Sequence, residues 1–216
     1  MKTLFNVLLP VFLCANGLAG DFVSVNSSAA QNAGGQNVLL DMAAPTGGFG
    51  GPVLKYTGVN GQTAFMLGGR GGWILNHRLC LGGGGYGVFT EVDAPESTLP
   101  LEGPLDIEFG YGGFEIEYIV HHNDLLHYSF YALLGGGASN FVRDEGAVTE
   151  SNQQAGETDF MLVFEPAVSG EMNVTQKFHL NAGLSYRLTA KGGQQGLKNG
   201  DYCGLTASLT FKFGNF

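Results

Sequence analysis

The sequence predicts an all-β fold: an eight-stranded, antiparallel, up-and-down transmembrane β-barrel preceded by a cleaved N-terminal signal helix. Three observations predict it. Apolar residues recur on every second position through most of the chain, and the last alternating segment is aromatic. After Ala19 no run approaches the roughly 20 consecutive apolar residues of a membrane helix, so a closed barrel is the remaining way to span. The connections between alternating segments sort into short and long, as periplasmic turns and extracellular loops do. Glycine at 36 of 216 residues, aromatics at 12% and charged residues at 13% leave too little helix-forming material for a bundle.

Residues 1–19 carry Lys2, an apolar run through Leu13 and small residues at Ala15, Gly17 and Ala19, the pattern of a secretory signal. Cys14 follows Phe12 and Leu13 where lipidation asks for small residues, so it reads as a signal-peptide cysteine. Residues 20–46, rich in Ser, Asn, Ala and Gln, read as a flexible leader, and residues 47–216 as the barrel. The first strand is expected over about Gly51 to Gly58, turning at Asn60-Gly61. The second runs from Gln62 to Leu75 with Phe65, Leu67 and Trp73 on one face and Arg70 on the other, and Asn76-His77 is a tight turn.

The third strand, Arg78 to Thr90, carries Leu79 and Leu81 on odd positions but Tyr86 and Val88 on even ones. That slip of phase predicts a bulge within Gly82 to Gly85. The fourth, Leu105 to Val120, predicts another at Gly112-Gly113, which makes the facing of Glu115 and Glu117 depend on it. Strand five spans Leu126 to Val142, with His127 and Ser129 inward. Strand six spans Asp159 to Met172, with Glu165, Ser169 and Glu171 inward. Strand seven starts at Phe178, and the last alternates from Leu205 to Phe213. Turns after strands two, four and six are short; connections after three, five and seven are long and polar. A secreted sandwich has no reason to sort loop lengths by side.

If the apolar face meets lipid, the lumen receives Arg70, Asp106, Glu115, Glu117, Glu165, Glu171, Lys177, His179, Arg187 and Lys212. An eight-stranded barrel is just wide enough for its own side chains, so these groups are expected to pair across it as a polar plug. The alternative for the same residues is a gated path for protons or small ions. A net charge of −9 argues against nucleic acid as a partner. Cys80 and Cys203 fall on strands placed apart, which predicts free thiols.

The GGRGGW stretch at Gly68 to Trp73, GGGGYG at Gly82 to Gly87, FGYGGFEIEY at Phe109 to Tyr118 and the LTFKFGNF ending carry a resemblance. Over about Gly47 to Phe216 the chain resembles the small eight-stranded outer-membrane barrels of the OmpA-domain and OmpX-like class. It is most similar to an uncharacterised bacterial outer-membrane protein group. The resemblance implies fold and location, the outer membrane of a Gram-negative bacterium, and no activity. It also implies outer-membrane lipids, lipopolysaccharide and the barrel-insertion machinery as partners. One departure concerns the end of the chain: Phe211 and Phe213 are out of step with Phe216, so Phe213 is expected in the membrane and Gly214 to Phe216 as a short tail.

Four further features have bland readings beside the sharper ones. Gly82 to Gly87 lacks the Lys-Ser/Thr and the helix of a phosphate loop, so barrel curvature explains it. His121, His122, Asp124 and His127 are the densest ligand-capable cluster, read by default as a solvated turn with no metal. His127 and Ser129 share a strand face and resemble the His-x-Ser pair of the lipid A deacylase barrels, but Phe130 and Tyr131 follow in place of that family's polar continuation. The acidic connections, with Glu91, Asp93, Glu96 and Glu102 and with Asp144, Glu145, Glu150 and Glu157, read as solvated surface, or as ground for divalent ions or a partner. The expectation is therefore a monomeric, non-enzymatic barrel without cofactor, with a structural role or a surface role towards an unknown extracellular ligand. A narrow pore or conduit for ions or small hydrophobic molecules is the alternative, and a lipid A-modifying hydrolase the third reading.

Overall fold

The computed structural model describes residues 46–93, 105–121, 124–143, 158–191 and 199–216. The signal segment, nearly all of the leader, His122 and most of the long connections lie outside the described residues. Eight strands follow in chain order: β1 Thr46–Val59, β2 Gln62–Leu75, β3 Leu79–Val88, β4 Leu105–Val120, β5 Leu126–Arg143, β6 Asp159–Asn173, β7 Phe178–Lys191 and β8 Gly204–Asn215. Each pairs antiparallel with its neighbour in sequence, and β1 closes on β8. The expected barrel is therefore the observed one, with β2 and β4 bounded as the alternation placed them and β1 five residues longer at its start, at Thr46 rather than Gly51.

Alternation decides which side chains leave the barrel. Along β6, Phe160, Leu162 and Phe164 are exposed while Met161, Val163 and Glu165 are buried. On β1 the same rule buries Val53, Lys55, Thr57 and Val59 and turns Leu54 and Tyr56 out. The outer face is a belt of aliphatic and aromatic side chains, with Phe160 73% and Trp73 68% exposed, whereas Glu165 on the inner face is 0% exposed. This inversion of a soluble core is the signature of strands that bury polar groups inside and offer hydrocarbon outside.

The expected bulges are absent. β3 pairs with β4 in an unbroken register from Leu79↔Tyr118 to Gly87↔Gly110, and β4 with β5 from Leu105↔Arg143 to Val120↔Tyr128. What changes at the glycines is the chemistry of the inner face. Below them β4 turns Glu115 and Glu117 inward; beyond them the same face carries Tyr111, Phe109 and Ile107. The apolar residues swap sides because the barrel interior itself turns apolar towards that end.

Two ladders are interrupted, and both breaks coincide with proline. The β1–β8 ladder skips Gly51 and Pro52, and the β6–β7 ladder skips Glu165 and Pro166. Proline has no N–H to offer a neighbouring strand.

The turns are tight for stated reasons. Asn60 and Gly61 both adopt positive φ (51° and 72°), the conformation that a two-residue hairpin of matching twist requires. Asn76 and His77 do so as well (both 52°), and Arg78 N–H closes that turn on Leu75 O at 3.1 Å. The start of β1 lies beside the β2–β3 turn, since Thr46 pairs with Leu75. Phe216 is at that end too, beyond the final strand. The turns after β2, β4 and β6 thus share one mouth, and the connections after β1, β3, β5 and β7 share the other.

A short element that the alternation does not announce sits at the long-connection mouth. Residues Asn199–Tyr202 form a 3₁₀ turn just before β8. Its Tyr202 is 1% exposed.

Candidate functional site: the barrel lumen

The lumen has two tiers. From the short-turn mouth to the level of Met66, ionisable side chains from β1, β2, β4, β6 and β8 meet in the lumen. Arg70 Nη2 donates to Glu117 Oε2 at 3.0 Å, and Arg70 Nε lies 2.7 Å from Glu115 Oε2 as an ion pair, off the line of its N–H. Lys212 Nζ bridges Glu117 Oε1 (3.0 Å) and Glu171 Oε2 (2.5 Å). Lys55 Nζ donates to Glu165 Oε1 at 2.8 Å and to Tyr111 Oη at 2.9 Å, and it stands 3.5 Å from the centroid of the Tyr86 ring. Tyr111 donates to Glu165 and Tyr86 to Glu115, the latter at 2.7 Å.

Neutral groups complete the carboxylates. Ser185 Oγ donates to Glu165 Oε1 at 2.5 Å and Ser129 Oγ to Glu117 Oε1 at 2.6 Å. Asn181 Nδ2 reaches Ser169 Oγ (2.9 Å) and Glu171 Oε2 (3.2 Å). Ionised groups withdrawn from water cost several kcal/mol each unless opposite charge and hydrogen bonds replace the lost hydration. Here Glu115, Glu117, Glu165 and Glu171 each have a cation against them, which is how the ionic tier is held together.

Towards the long-connection mouth the interior is apolar: Val59, Met66, Val88, Ile107, Phe109, Met161, Val163 and Tyr202 pack as one cluster. Arg187 ties it to the backbone. Its Nε donates to Tyr202 O at 2.7 Å and its Nη2 to Gly58 O at 2.8 Å, while the guanidinium lies 5.1 Å from the Phe109 ring centroid. The Tyr202 hydroxyl donates to Ser139 Oγ at 2.9 Å, and burial pushes its pKa up, which keeps the donor proton in place. Asn60 N–H donates to Asp201 O at 2.6 Å, so the 3₁₀ turn is fastened to two strand ends.

Of the residues that the alternation sends inward, Arg70, Glu115, Glu117, Glu165, Glu171, His179, Arg187 and Lys212 are buried in the lumen. Two are elsewhere. Asp106 precedes inward Ile107 on β4 and so has the opposite facing; it is half-buried beside Asp93, with which it forms a β-bridge. Lys177 lies in the β6–β7 turn before β7 begins, and is exposed at the short-turn mouth. Lys55 is a member the lumen set lacks, although its position between Leu54 and Tyr56 in an alternating strand gave the signal. Tyr86 and Tyr111 are also inside, although the alternation around the glycines grouped them with the apolar face, and Tyr131 is inside in phase with His127 and Ser129.

The two described histidines of the cluster have different surroundings. His121 is exposed with φ +56° and its ring against Tyr128, whereas His127 is buried with Nε2 3.6 Å from Glu171 Oε1. Among the described residues no group of three or more His, Cys, Asp and Glu side chains is placed to hold a metal. Ser129 is 0% exposed and donates a hydrogen bond to Glu117, while His127 turns to Glu171 and to Asp124 O at 3.4 Å. Cys80 and Cys203 are not joined in a disulfide.

At the short-turn mouth the lumen opens into a cavity of about 680 Å³, lined by Ile74, His77, Ile119, His127, Glu171, Asn173, Thr175, Gln176, Lys177, His179, Asn215 and Phe216. His179 Nδ1 is 2.8 Å from Glu171 Oε1, and the Phe216 ring stacks on the His179 imidazole at 3.5 Å between centroids. Phe213 faces outward, 54% exposed, so the two final aromatics have opposite tasks.

No family model matches the chain, and no curated protein matches it. Among solved structures the barrel is similar to Neisserial surface protein A, at 16% identity over 79% of this chain and 96% of that one, with a TM-score of 0.48. It is similar to Ail, the attachment invasion locus protein of Yersinia pestis, at 16% identity over 78% and 97%, with a TM-score of 0.45. It is similar to the N-terminal β-barrel domain of Pseudomonas aeruginosa OprF, at 14% identity over 77% and 96%, with a TM-score of 0.43.

Proposed function

We propose that the protein is a monomeric, non-conducting and non-enzymatic barrel of the Gram-negative outer membrane, with a structural or surface-interaction role. The observation that carries this reading is the doubly filled lumen. A paired ionic tier occupies the half nearer the short turns, and an apolar tier capped by Tyr202 occupies the other half. The exposed belt of Leu, Phe, Tyr and Trp supports the membrane setting, since water would leave that area unburied. In this reading outer-membrane lipids and lipopolysaccharide surround the belt, the insertion machinery assembles it, and an extracellular ligand meets the long connections.

The second reading, a narrow conduit for ions, has one observation in its favour. Hydrogen bonds and ion pairs run from the cavity at His179 through Glu171, Lys212 and Glu117 to Arg70, a chain on which a proton or ion has partners at each step. The apolar tier interrupts it before the other mouth. Hydrolysis of lipid A has less support, because Ser129 is sealed from the lipid side and its proton is held by Glu117.

Planar-bilayer recording tests the reading. The wild-type protein is expected to give no steady openings; openings whose size changes in Arg70→Ala would replace it with the conduit.

A further inference from the structure

The outer belt is uneven near the short turns, on the sector that runs from β7 through β8 and β1 to β2. Phe178 and Phe213 stack there on the outer face at 4.9 Å between ring centroids, and Trp73 on β2 is 68% exposed. Between them β1 presents Gly48, paired with Trp73, and Gly50, paired with Phe213. A Cβ on Gly50 would meet nothing within 4 Å. The result is a furrow with a backbone floor and aromatic walls on β8 and β2, two strand spacings or roughly 10 Å apart.

The two ends of the barrel also differ in charge. Residues 91–104 and 144–158, in the long connections, carry eight Asp and Glu and no Lys or Arg. The exposed charges that border the furrow at the other end are cations. Lys177 directly precedes Phe178, and its carbonyl accepts from Gly214 N–H at 3.0 Å; Arg78 stands in the turn that follows β2. Among the described residues of this sector no acidic side chain is exposed.

From this we infer that the furrow seats an anionic phospholipid, with its acyl chains between Phe213 and Trp73 and its headgroup between Lys177 and Arg78. The inference rests on the membrane setting proposed above. The methylene stems of Lys and Arg let their charges reach the headgroup layer from roots beside the two walls. A zwitterionic headgroup brings its own ammonium against these cations, whereas an anionic one does not. Each cation at such a surface favours the anionic headgroup by about fivefold. The acidic connections repel the same lipid at the other end, so the preference belongs to the leaflet on the short-turn side.

The test uses Trp73, the single tryptophan of the chain, as its probe. The full chain is reconstituted in phosphatidylcholine vesicles containing a small fraction of either phosphatidylglycerol or phosphatidylcholine brominated on its acyl chains, and quenching of Trp73 fluorescence is compared. Stronger quenching by the brominated phosphatidylglycerol is expected at low salt, and added salt is expected to screen the preference. The preference is expected to weaken about fivefold in Arg78→Gln or Lys177→Gln, and to be kept in Arg78→Lys with Lys177→Arg. Both residues are exposed in turns, so the variants are expected to keep the folded band on a cold detergent gel. Equal quenching by the two lipids, or an undiminished preference when both cations are replaced by glutamine, would overturn the assignment and leave the membrane setting intact. Quenching by neither lipid would take Trp73 out of the bilayer and overturn both. Quenching that fades as the protein-to-lipid ratio rises would put a second copy of the chain on this face in place of the lipid.

Discussion

Glu117 is the residue on which the ionic tier turns. It takes Arg70 on one oxygen, Ser129 on the other and Lys212 across both, while itself 1% exposed. Glu117→Ala takes one of two carboxylates from both Arg70 and Lys212, which keep Glu115 and Glu171, and is expected to cost about 3 kcal/mol, the low end for breaking a buried pair. Ser129→Ala leaves the carboxylate its cations and is expected to cost about 1 kcal/mol. Denaturant titration followed by the folded gel band distinguishes the two; equal losses would mean that Glu117 is not the hub. At this scale the sequence is readable where a charged residue lies between two outward apolar neighbours, as Glu165 does between Phe164 and Pro166. Asp106 and Lys177 were misplaced because facing depends on where the strand begins and on local phase, which one charged residue does not reveal.

At the scale of the element, the glycines of β2 and β3 set how closely two strands approach. Gly72 and Gly82 are directly opposed, and a Cβ on Gly82 would come within 2.0 Å of Gly71 O and 2.7 Å of Gly72 Cα. These are backbone atoms and cannot swing aside. Gly82→Ala is therefore expected to destabilise the barrel by about 1–3 kcal/mol or to leave it unable to close. Gly87→Ala has open space around its Cβ and is expected to fold as the wild type does, or slightly better from reduced freedom of the unfolded chain. Heat-modifiability of the two refolded variants reads the difference, and a normal folded band for Gly82→Ala would refute the packing argument. The strands were legible because period two is a property of the backbone. The bulges were misread from the same signal, since equating apolar with outward fails where the interior is apolar. The 3₁₀ turn Asn199–Tyr202 was read as loop because four residues carry no periodicity.

For the whole molecule, two barriers in series make a definite claim about permeation. Thinning one tier leaves the other intact. In Glu117→Ser with Lys212→Ser, water gains access from the short-turn mouth, but Met66, Ile107, Phe109 and Tyr202 still fill the far half. In Met66→Ser with Phe109→Ser, the apolar tier is wetted, but Arg70, Glu117 and Lys212 still cross the near half. Neither pair of substitutions is expected to give steady current in a planar bilayer, whereas the fourfold variant is. Because an eight-stranded barrel has room for little beyond its own side chains, each tier closes the section it occupies. Steady openings in the first double variant would show that the apolar tier does not seal, and would make the ionic network the gate of a conduit. Closed behaviour in both doubles and openings in the fourfold variant would show that the lumen is sealed twice, which leaves the surfaces at the two mouths and the lipid-facing belt as the places where this protein meets its partners.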